Sequence, residues 1–121
     1  ETQKIMSKKM QISATCVRVP VMRSHSEAIT IHFEKDVNVA EARRVLEKAP
    51  SVVLVDDVAN KKYPMPTIAT DTDFTYVGRI RKDINEDNIL HLWCVADQIR
   101  VGAATNAVRI GLKWIEMEEN N

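Results

Sequence analysis

The sequence lacks an excess of charge of either sign and contains few aromatic residues. Its 17 Lys and Arg residues balance 17 Asp and Glu residues, and only 5% of the chain is aromatic. Domains that bind nucleic acids usually carry a basic excess, or aromatic residues interleaved with basic ones. The composition therefore argues against a nucleic acid as partner.

Long apolar runs are also absent. No run approaches the roughly 20 residues that span a bilayer, and no basic, apolar and small-residue signal peptide opens the chain. We therefore expect no membrane partner and an intracellular protein. The 121 residues fit one domain, and the opening ETQKIMSKKM, a helix-like stretch without an initiator methionine or an N-cap, suggests a chain cut from a longer protein.

Cysteine is scarce, with only Cys16 and Cys94. Each lies within an apolar, strand-like segment, and no short metal-ligand spacing relates them. This pattern predicts buried free thiols rather than a disulfide or a zinc site. We expect no metal.

Hydrophobic periodicity predicts two strands and a helix in the first half. QISATCVRVP (11–20) alternates and ends at a proline, and EAITIHFE (27–34) alternates with isoleucines on one face, so these strands are expected to pair. The next segment, 38–50, has helical period, with Asn38 as N-cap and Pro50 as the stop.

The second half predicts three more strands and a helix. SVVLVDD (51–57) is a continuous apolar run expected to be covered on both faces. Residues 74–83 and 89–97 form two strands across a polar turn, and 101–120 is an amphipathic helix. The pattern predicts an α+β fold, a mixed and mostly antiparallel five-stranded sheet with helices packed on one face. The strands are too apolar for solvent, which favours a second subunit or domain on the other face.

Arg18 and His25 are the candidates for chemistry. The guanidinium fork of Arg18 suits a carboxylate or phosphate, although a surface arginine would fit the same pattern. His25 is either a proton carrier or a solvated loop residue. If the two predicted strands form a hairpin, both residues flank the connection and one small substrate can touch both.

The remaining polar strand residues have structural interpretations. His32 and His91 are expected to be solvated or hydrogen-bonded structural histidines. Arg79, Arg81 and Lys82 are expected to form a solvated or interface ladder, with a phosphate site as the weaker alternative.

Five segments, in order, carry a family resemblance: SATCVRVPVMRSHSEA, VVLVDD, YPMP, VGRIRKD and VADQIRVGAATNAV. In order and spacing they resemble the C-terminal part of bacterial and plant-type aspartate-semialdehyde dehydrogenases, over nearly the whole chain. The resemblance implies that residues 1–121 are one catalytic and dimerisation domain of the glyceraldehyde-3-phosphate dehydrogenase-like class. It also implies a homodimer through the sheet face, an N-terminal NADP-binding domain elsewhere in the protein, and a cytoplasmic location, or a plastid if the source is a plant.

The same resemblance implies roles for three residues. The family reduces β-aspartyl phosphate to aspartate semialdehyde and releases phosphate, in the synthesis of lysine, threonine and methionine. Arg18 matches the arginine that holds the substrate carboxylate, and His25 matches the general acid/base. Gln98 matches a cofactor contact near the nicotinamide.

One departure limits the expected activity. The family's nucleophilic cysteine and nucleotide-binding glycines lie upstream of this region, and neither Cys16 nor Cys94 matches the nucleophile motif. The isolated chain is therefore expected to be inactive. A non-catalytic paralogue or stand-alone dimerisation module is the alternative. A related reductase of N-acetyl-glutamyl phosphate shares the architecture, but the RVPV…HSE form is closer to the aspartate enzyme, and fold analogy alone does not separate the two.

Overall fold

Two eight-residue strands joined by a short polar turn form the centre of the sheet. In the computed structural model, which describes residues 1–120, these are β3 and β4. The elements in chain order are α1 (Thr2–Met6), β1 (His25–His32), α2 (Val39–Glu47), β2 (Val52–Leu54), α3 (Pro66–Ala69), β3 (Thr75–Lys82), β4 (Ile89–Ala96) and α4 (Ala104–Glu119).

The sheet has four strands in the order β1-β4-β3-β2. β4 pairs antiparallel with both β1 and β3, whereas β2 runs parallel to β3. At one end of the sheet, His25 and Thr75 both lie opposite Ala96. The predicted mixed, mostly antiparallel α+β fold is confirmed.

The helix α2 forms where local signals predicted it. The side chain of Asn38 accepts a hydrogen bond from the Glu41 N–H at 3.1 Å, which satisfies one of the free donors of the first turn. Its apolar stripe packs on the buried residues Val77, Ile80 and Leu90. Partly buried apolar residues complete this core: Val37, Val39, Ala42, Leu46, Val52, Leu54, Leu92 and Cys94.

A β-bulge interrupts β3 between Gly78 and Arg81. The carboxylate of Asp56 accepts hydrogen bonds from the backbone N–H groups of Arg79 at 2.8 Å and Ile80 at 3.1 Å. Arg79 has a φ of 53°, a left-handed conformation that few residues with a side chain adopt. A Cβ on Gly78 would lie 2.1 Å from the Val55 carbonyl oxygen, so this position requires glycine.

The predicted strand at 11–20 is wrong. Its residues are exposed and belong to no strand, and β1 pairs with β4 instead of with this segment. Alternation shows that a segment suits a sheet but does not supply a partner, and an unpartnered strand leaves its backbone groups to water. The sheet therefore has four strands, not five, and Cys16 is exposed rather than buried.

The C-terminal helix is confirmed, but its apolar stripe is not covered by the described chain. It begins at Ala104, three residues later than predicted. Its large apolar side chains are all more than half exposed: Val108, Ile110, Leu112, Trp114, Ile115 and Met117. No helix in residues 1–120 combines the length and apolarity that a membrane crossing requires.

Candidate active site

His25 and Gln98 lie at the same end of the sheet. His25 is the first residue of β1 and is paired with Ala96, the last residue of β4. Gln98 follows two residues later. The predicted acid/base and the predicted cofactor contact thus lie on chain segments that are far apart in sequence and adjacent in space.

A direct hydrogen bond joins the two positions through Ser24. The Ser24 N–H donates to Gln98 Oε1 at 2.6 Å. Because a backbone N–H can only donate, the Gln98 amide is oriented with its oxygen towards Ser24 and its NH₂ group elsewhere. No hydrogen bond engages that NH₂ group within residues 1–120, so it is available to a carbonyl oxygen of a ligand.

Ser24 is held on its other side as well. It is buried, with 8% exposure, and has a left-handed φ of 76°. The Thr70 hydroxyl donates to the Pro66 carbonyl at 2.8 Å, so the Ser24 hydroxyl is the donor in its 2.9 Å contact with Thr70 Oγ1. The residue before His25 is therefore fixed by both its backbone and its side chain.

Asp97 is the fully buried centre of the same region, with a side chain that is 0% exposed. Its Oδ1 accepts hydrogen bonds from the Ile99 and Arg100 N–H groups at 2.9 and 3.1 Å, which closes the turn that carries Gln98. Its Oδ2 accepts from the Asp71 N–H at 2.8 Å and pairs with Arg23 Nη2 at 3.1 Å.

These contacts keep Asp97 ionised. Burial acts to raise the pKa of its carboxyl group, but hydrogen bonds from the Asp71, Arg100 and Ile99 backbones and from Arg23 outweigh that effect and lower the pKa to about 2. The carboxylate is thus an anion at any physiological pH. Its hydrogen bonds are therefore charge-assisted.

A second ion pair lies at this end of the sheet but does not touch Ser24 or His25. Arg100 binds Asp73 through Nε at 2.7 Å and Nη2 at 3.1 Å. The Arg100 hydrogen bond is the main cause that lowers the pKa of Asp73. Arg109 of α4 donates to the Asp73 carbonyl oxygen at 3.0 Å, which ties the last helix to the start of β3.

The side chain of His25 is open to solvent. Its residue is exposed, and no hydrogen bond or ion pair joins its imidazole to another group in residues 1–120. Arg18 is exposed too, and its guanidinium has no acceptor within the same residues. The structure brings His25 and Gln98 together; it shows no contact between Arg18 and either of them.

The other histidine and cysteine candidates have structural surroundings. His91 Nε2 bonds Asp83 Oδ2 at 2.7 Å and its Nδ1 bonds Thr30 Oγ1 at 3.0 Å, which confirms a hydrogen-bonded structural histidine. Burial raises the pKa of the Cys94 thiol to about 11, which makes it a poor nucleophile.

Sequence reasoning missed Arg23, Ser24 and Asp97. The available signal for Asp97 was an acidic residue directly after an apolar strand, a position where a side chain caps the chain's exit from the sheet. Nothing local marks Arg23 as its partner, because the two are 74 positions apart.

The fold and this site define an α+β domain of the glyceraldehyde-3-phosphate dehydrogenase-like class. Residues 1–101 match the family model for the semialdehyde dehydrogenase dimerisation domain. The chain belongs to that family.

Named relatives agree with this assignment. The chain is 67% identical to an aspartate-semialdehyde dehydrogenase of Campylobacter jejuni over 118 residues, which cover 98% of this chain and 34% of that protein. It is 54% identical to one from Helicobacter pylori over 96% of this chain and 34% of the relative. The chain thus spans about a third of the length of the curated relatives it matches.

Solved structures show the same relationship. A crystal structure of aspartate semialdehyde dehydrogenase II from Vibrio cholerae, complexed with ASA, superposes with a TM-score of 0.89 at 34% identity, covering 95% of this chain and 34% of that one. The Francisella tularensis enzyme superposes with a TM-score of 0.79 at 31% identity, covering 94% and 32%.

Proposed function

We propose that this chain is the C-terminal catalytic and dimerisation part of an NADP-dependent aspartate-semialdehyde dehydrogenase. The reaction is the reduction of β-aspartyl phosphate to aspartate semialdehyde with release of phosphate, in the synthesis of lysine, threonine and methionine. The rest of the protein supplies the N-terminal nucleotide-binding domain and the nucleophilic cysteine. The single observation that carries the proposal is the Ser24–Gln98 hydrogen bond, because it joins the backbone next to His25 to the proposed cofactor contact.

In the semialdehyde-oxidising direction the chemistry needs a mobile proton. The upstream cysteine thiolate adds to the aldehyde carbon, hydride leaves that carbon, and phosphate displaces the thiolate from the acyl group. His25, with its exposed imidazole, takes the proton of the thiol and returns it to a departing group. NADP, when bound, supplies the hydride acceptor.

Gln98 and Arg18 have binding roles in this proposal. The NH₂ group that Gln98 leaves free suits the carboxamide oxygen of a nicotinamide, so the residue fits the group. Arg18 has no acceptor within residues 1–120, and its fork is available for the substrate carboxylate. Binding at that carboxylate orients the aldehyde carbon for attack.

The test is phosphate-dependent reduction of NADP by aspartate semialdehyde, using the full-length parent protein. Arg18→Ala is expected to lower kcat/KM about 100-fold or more, since a bidentate charge-assisted contact is lost. Arg18→Lys restores the charge but not the fork, and is expected to recover only part of the loss.

Arg44→Ala is the matched control, because Arg44 lies on α2 and its only ion-pair partner among residues 1–120 is the exposed Glu41. It is expected to stay within about 2-fold of the parent. Unchanged kcat/KM in Arg18→Ala contradicts the role of Arg18. No activity in the intact parent favours the non-catalytic paralogue or dimerisation module instead.

We further propose that the protein is a homodimer that associates through the sheet face. The family description as a dimerisation domain supports this. So does the register of the sheet: Ile31 lies opposite Leu90 on the face that α2 covers, whereas Ala28 lies opposite Trp93 on the other face and is exposed. In the full-length protein, Ala28→Lys is expected to convert the dimer to a monomer in sedimentation analysis, whereas Val45→Lys on the exposed side of α2 is not. A dimeric Ala28→Lys variant contradicts this interface.

A further inference from the structure

The segment that leads into His25 is held at three consecutive residues, at Arg23 through its side chain and at Ser24 and His25 through the backbone. Arg23 pairs with Asp97 at 3.1 Å, the Ser24 N–H binds Gln98 at 2.6 Å, and the His25 backbone is in register with Ala96. The imidazole itself touches none of these groups. These contacts therefore position the imidazole indirectly, through the backbone that carries it.

All three ties depend on the residues at 96–98, and Asp97 is at their centre. Its Oδ1 closes the turn of Gln98 by accepting from two backbone N–H groups, and its Oδ2 holds Arg23 and the Asp71 N–H. A carboxylate has about four lone-pair sites, and here each one is occupied. One buried anion thus sets the relative positions of the Gln98 turn and the Arg23–His25 segment.

A second feature shows that the position of the Arg23 side chain is energetically unfavourable for one of its own donors. Its Nε is buried and has no hydrogen-bond acceptor in residues 1–120. A buried unpaired donor is unfavourable, so the guanidinium is held there by its two carboxylate contacts, Asp97 and Asp71, each at 3.1 Å. The two ion pairs therefore fix the position of the Arg23 guanidinium even though its Nε–H stays unpaired.

We propose that Asp97 is a positioning residue for catalysis: through Arg23 and the Gln98 turn it holds the imidazole of His25 and the amide of Gln98 at a fixed separation. This rests on the proposed function of His25 and Gln98. Displacement of a reacting group by about 1 Å costs up to about 100-fold in rate. Loss of Asp97 should therefore reduce turnover far more than substrate binding.

The experiment uses the full-length enzyme and compares Asp97→Asn with Asp73→Asn. Asp73 is the matched control, because it forms the neighbouring ion pair with Arg100 and touches neither Ser24 nor His25. We expect Asp97→Asn to lower kcat about 10-fold or more while KM for aspartate semialdehyde stays within about 3-fold. Asp73→Asn is expected to leave kcat within about 3-fold and to lower Tm less than Asp97→Asn, because the Asp73 side chain is 32% exposed.

Hydrogen–deuterium exchange supplies a readout that is independent of turnover. Peptides that contain the Ser24 amide should exchange faster in Asp97→Asn than in the parent, and at parental rates in Asp73→Asn. Equal kcat losses in both variants, or unchanged exchange at Ser24 in Asp97→Asn, would overturn the proposal.

A variant at Arg23 keeps the proposal testable if Asp97→Asn does not fold. Arg23→Gln leaves the three backbone hydrogen bonds of Asp97 in place and is expected to lower kcat about 3- to 10-fold, with recovery in Arg23→Lys. Parental kcat in Arg23→Gln refutes the positioning role. An inactive wild-type parent refutes the proposed function, whereas an active parent whose variants match Asp73→Asn refutes only the role of Asp97.

Discussion

Two buried aspartates use the same chemistry on the two sides of β3. The side chain of Asp56 is 3% exposed and accepts from two backbone N–H groups and Arg43. The side chain of Asp97 is 0% exposed and accepts from three backbone N–H groups and Arg23. The donors to Asp56 all belong to the bulge of β3 and to α2. Three of the four donors to Asp97 belong to the segments that carry His25 and Gln98, and the fourth, the Asp71 N–H, belongs to the loop before β3. A buried carboxylate thus stabilises strand β3 at Asp56 and joins the segments of the candidate active site at Asp97.

The comparison predicts that loss of Asp56 lowers stability strongly and leaves catalysis intact. Asp56→Ala leaves the Arg79 and Ile80 N–H groups and the Arg43 guanidinium without their shared acceptor, and is expected to lower the free energy of unfolding by about 3 kcal/mol or more. The measurement is the denaturant midpoint of the full-length protein. The remaining folded enzyme should keep its kcat within about 2-fold, because no site residue is touched.

The adjacent Asp57 is the matched control. Its carboxylate accepts hydrogen bonds from the backbone and side chain of Asn60 within an exposed turn, so Asp57→Ala is expected to leave the denaturant midpoint close to that of the parent. Equal losses in the two variants would show that the bulge does not depend on Asp56.

A smaller effect is expected from Gly78→Ala, which attacks the same bulge sterically. The added Cβ would lie 2.1 Å from the Val55 carbonyl oxygen and 2.6 Å from Pro64 Cδ. Relief of that overlap separates β2 from β3 and should cost about 1–3 kcal/mol, measured by the same denaturation. A parental midpoint would mean that β2 moves away freely and contributes little to the sheet.

The smallest and most specific expected effect is a loss of thermal stability at acidic pH. The pKa of Asp97 is lowered from 3.8 to about 2 in the folded protein, so its ionisation stabilises the fold above the unfolded pKa and that contribution disappears as the pH falls through this interval. The Tm of the parent should therefore fall between pH 3.8 and about 2. Asp57, Asp73 and Asp83 also have lowered pKa values and contribute to this fall.

The prediction that is specific to Asp97 is a difference in the pH dependence of Tm between the parent and Asp97→Asn. Asp97→Asn removes one titrating group, so its Tm should decline less steeply than that of the parent across the same pH interval. Equal slopes would indicate that the hydrogen bonds to Asp97 persist in the unfolded chain, or that they do not form in the folded one.

Local signals account for what was predicted correctly. The cap at Asn38, the stripe of α2 and the turn between β3 and β4 depend on residues a few positions apart. The prediction of a strand at 11–20 was wrong because alternation shows only that a segment suits a sheet, and no local signal tells whether a partner strand exists. The role of His91 was predicted because a mid-strand histidine among apolar residues needs hydrogen bonds wherever they come from.

The candidate site was predicted only in part. The family resemblance supplied Arg18, His25 and Gln98 as separate positions, and the structure brings the last two together. The groups that join them, Ser24 and Asp97, act through contacts across the sheet, and no sequence period relates residues 74 positions apart.

In the sheet, β1 pairs with β4 and with no other strand, which constrains when it can fold during synthesis of the chain. As the chain leaves the ribosome, β1 emerges long before the strand it pairs with, and Ser24 emerges 74 residues before the glutamine that receives its N–H. Closing such a distant contact is slow compared with forming a helix or a hairpin. The site of His25 therefore cannot assemble before Gln98 has emerged, so a nascent chain that stops before residue 97 holds the histidine but has no site around it.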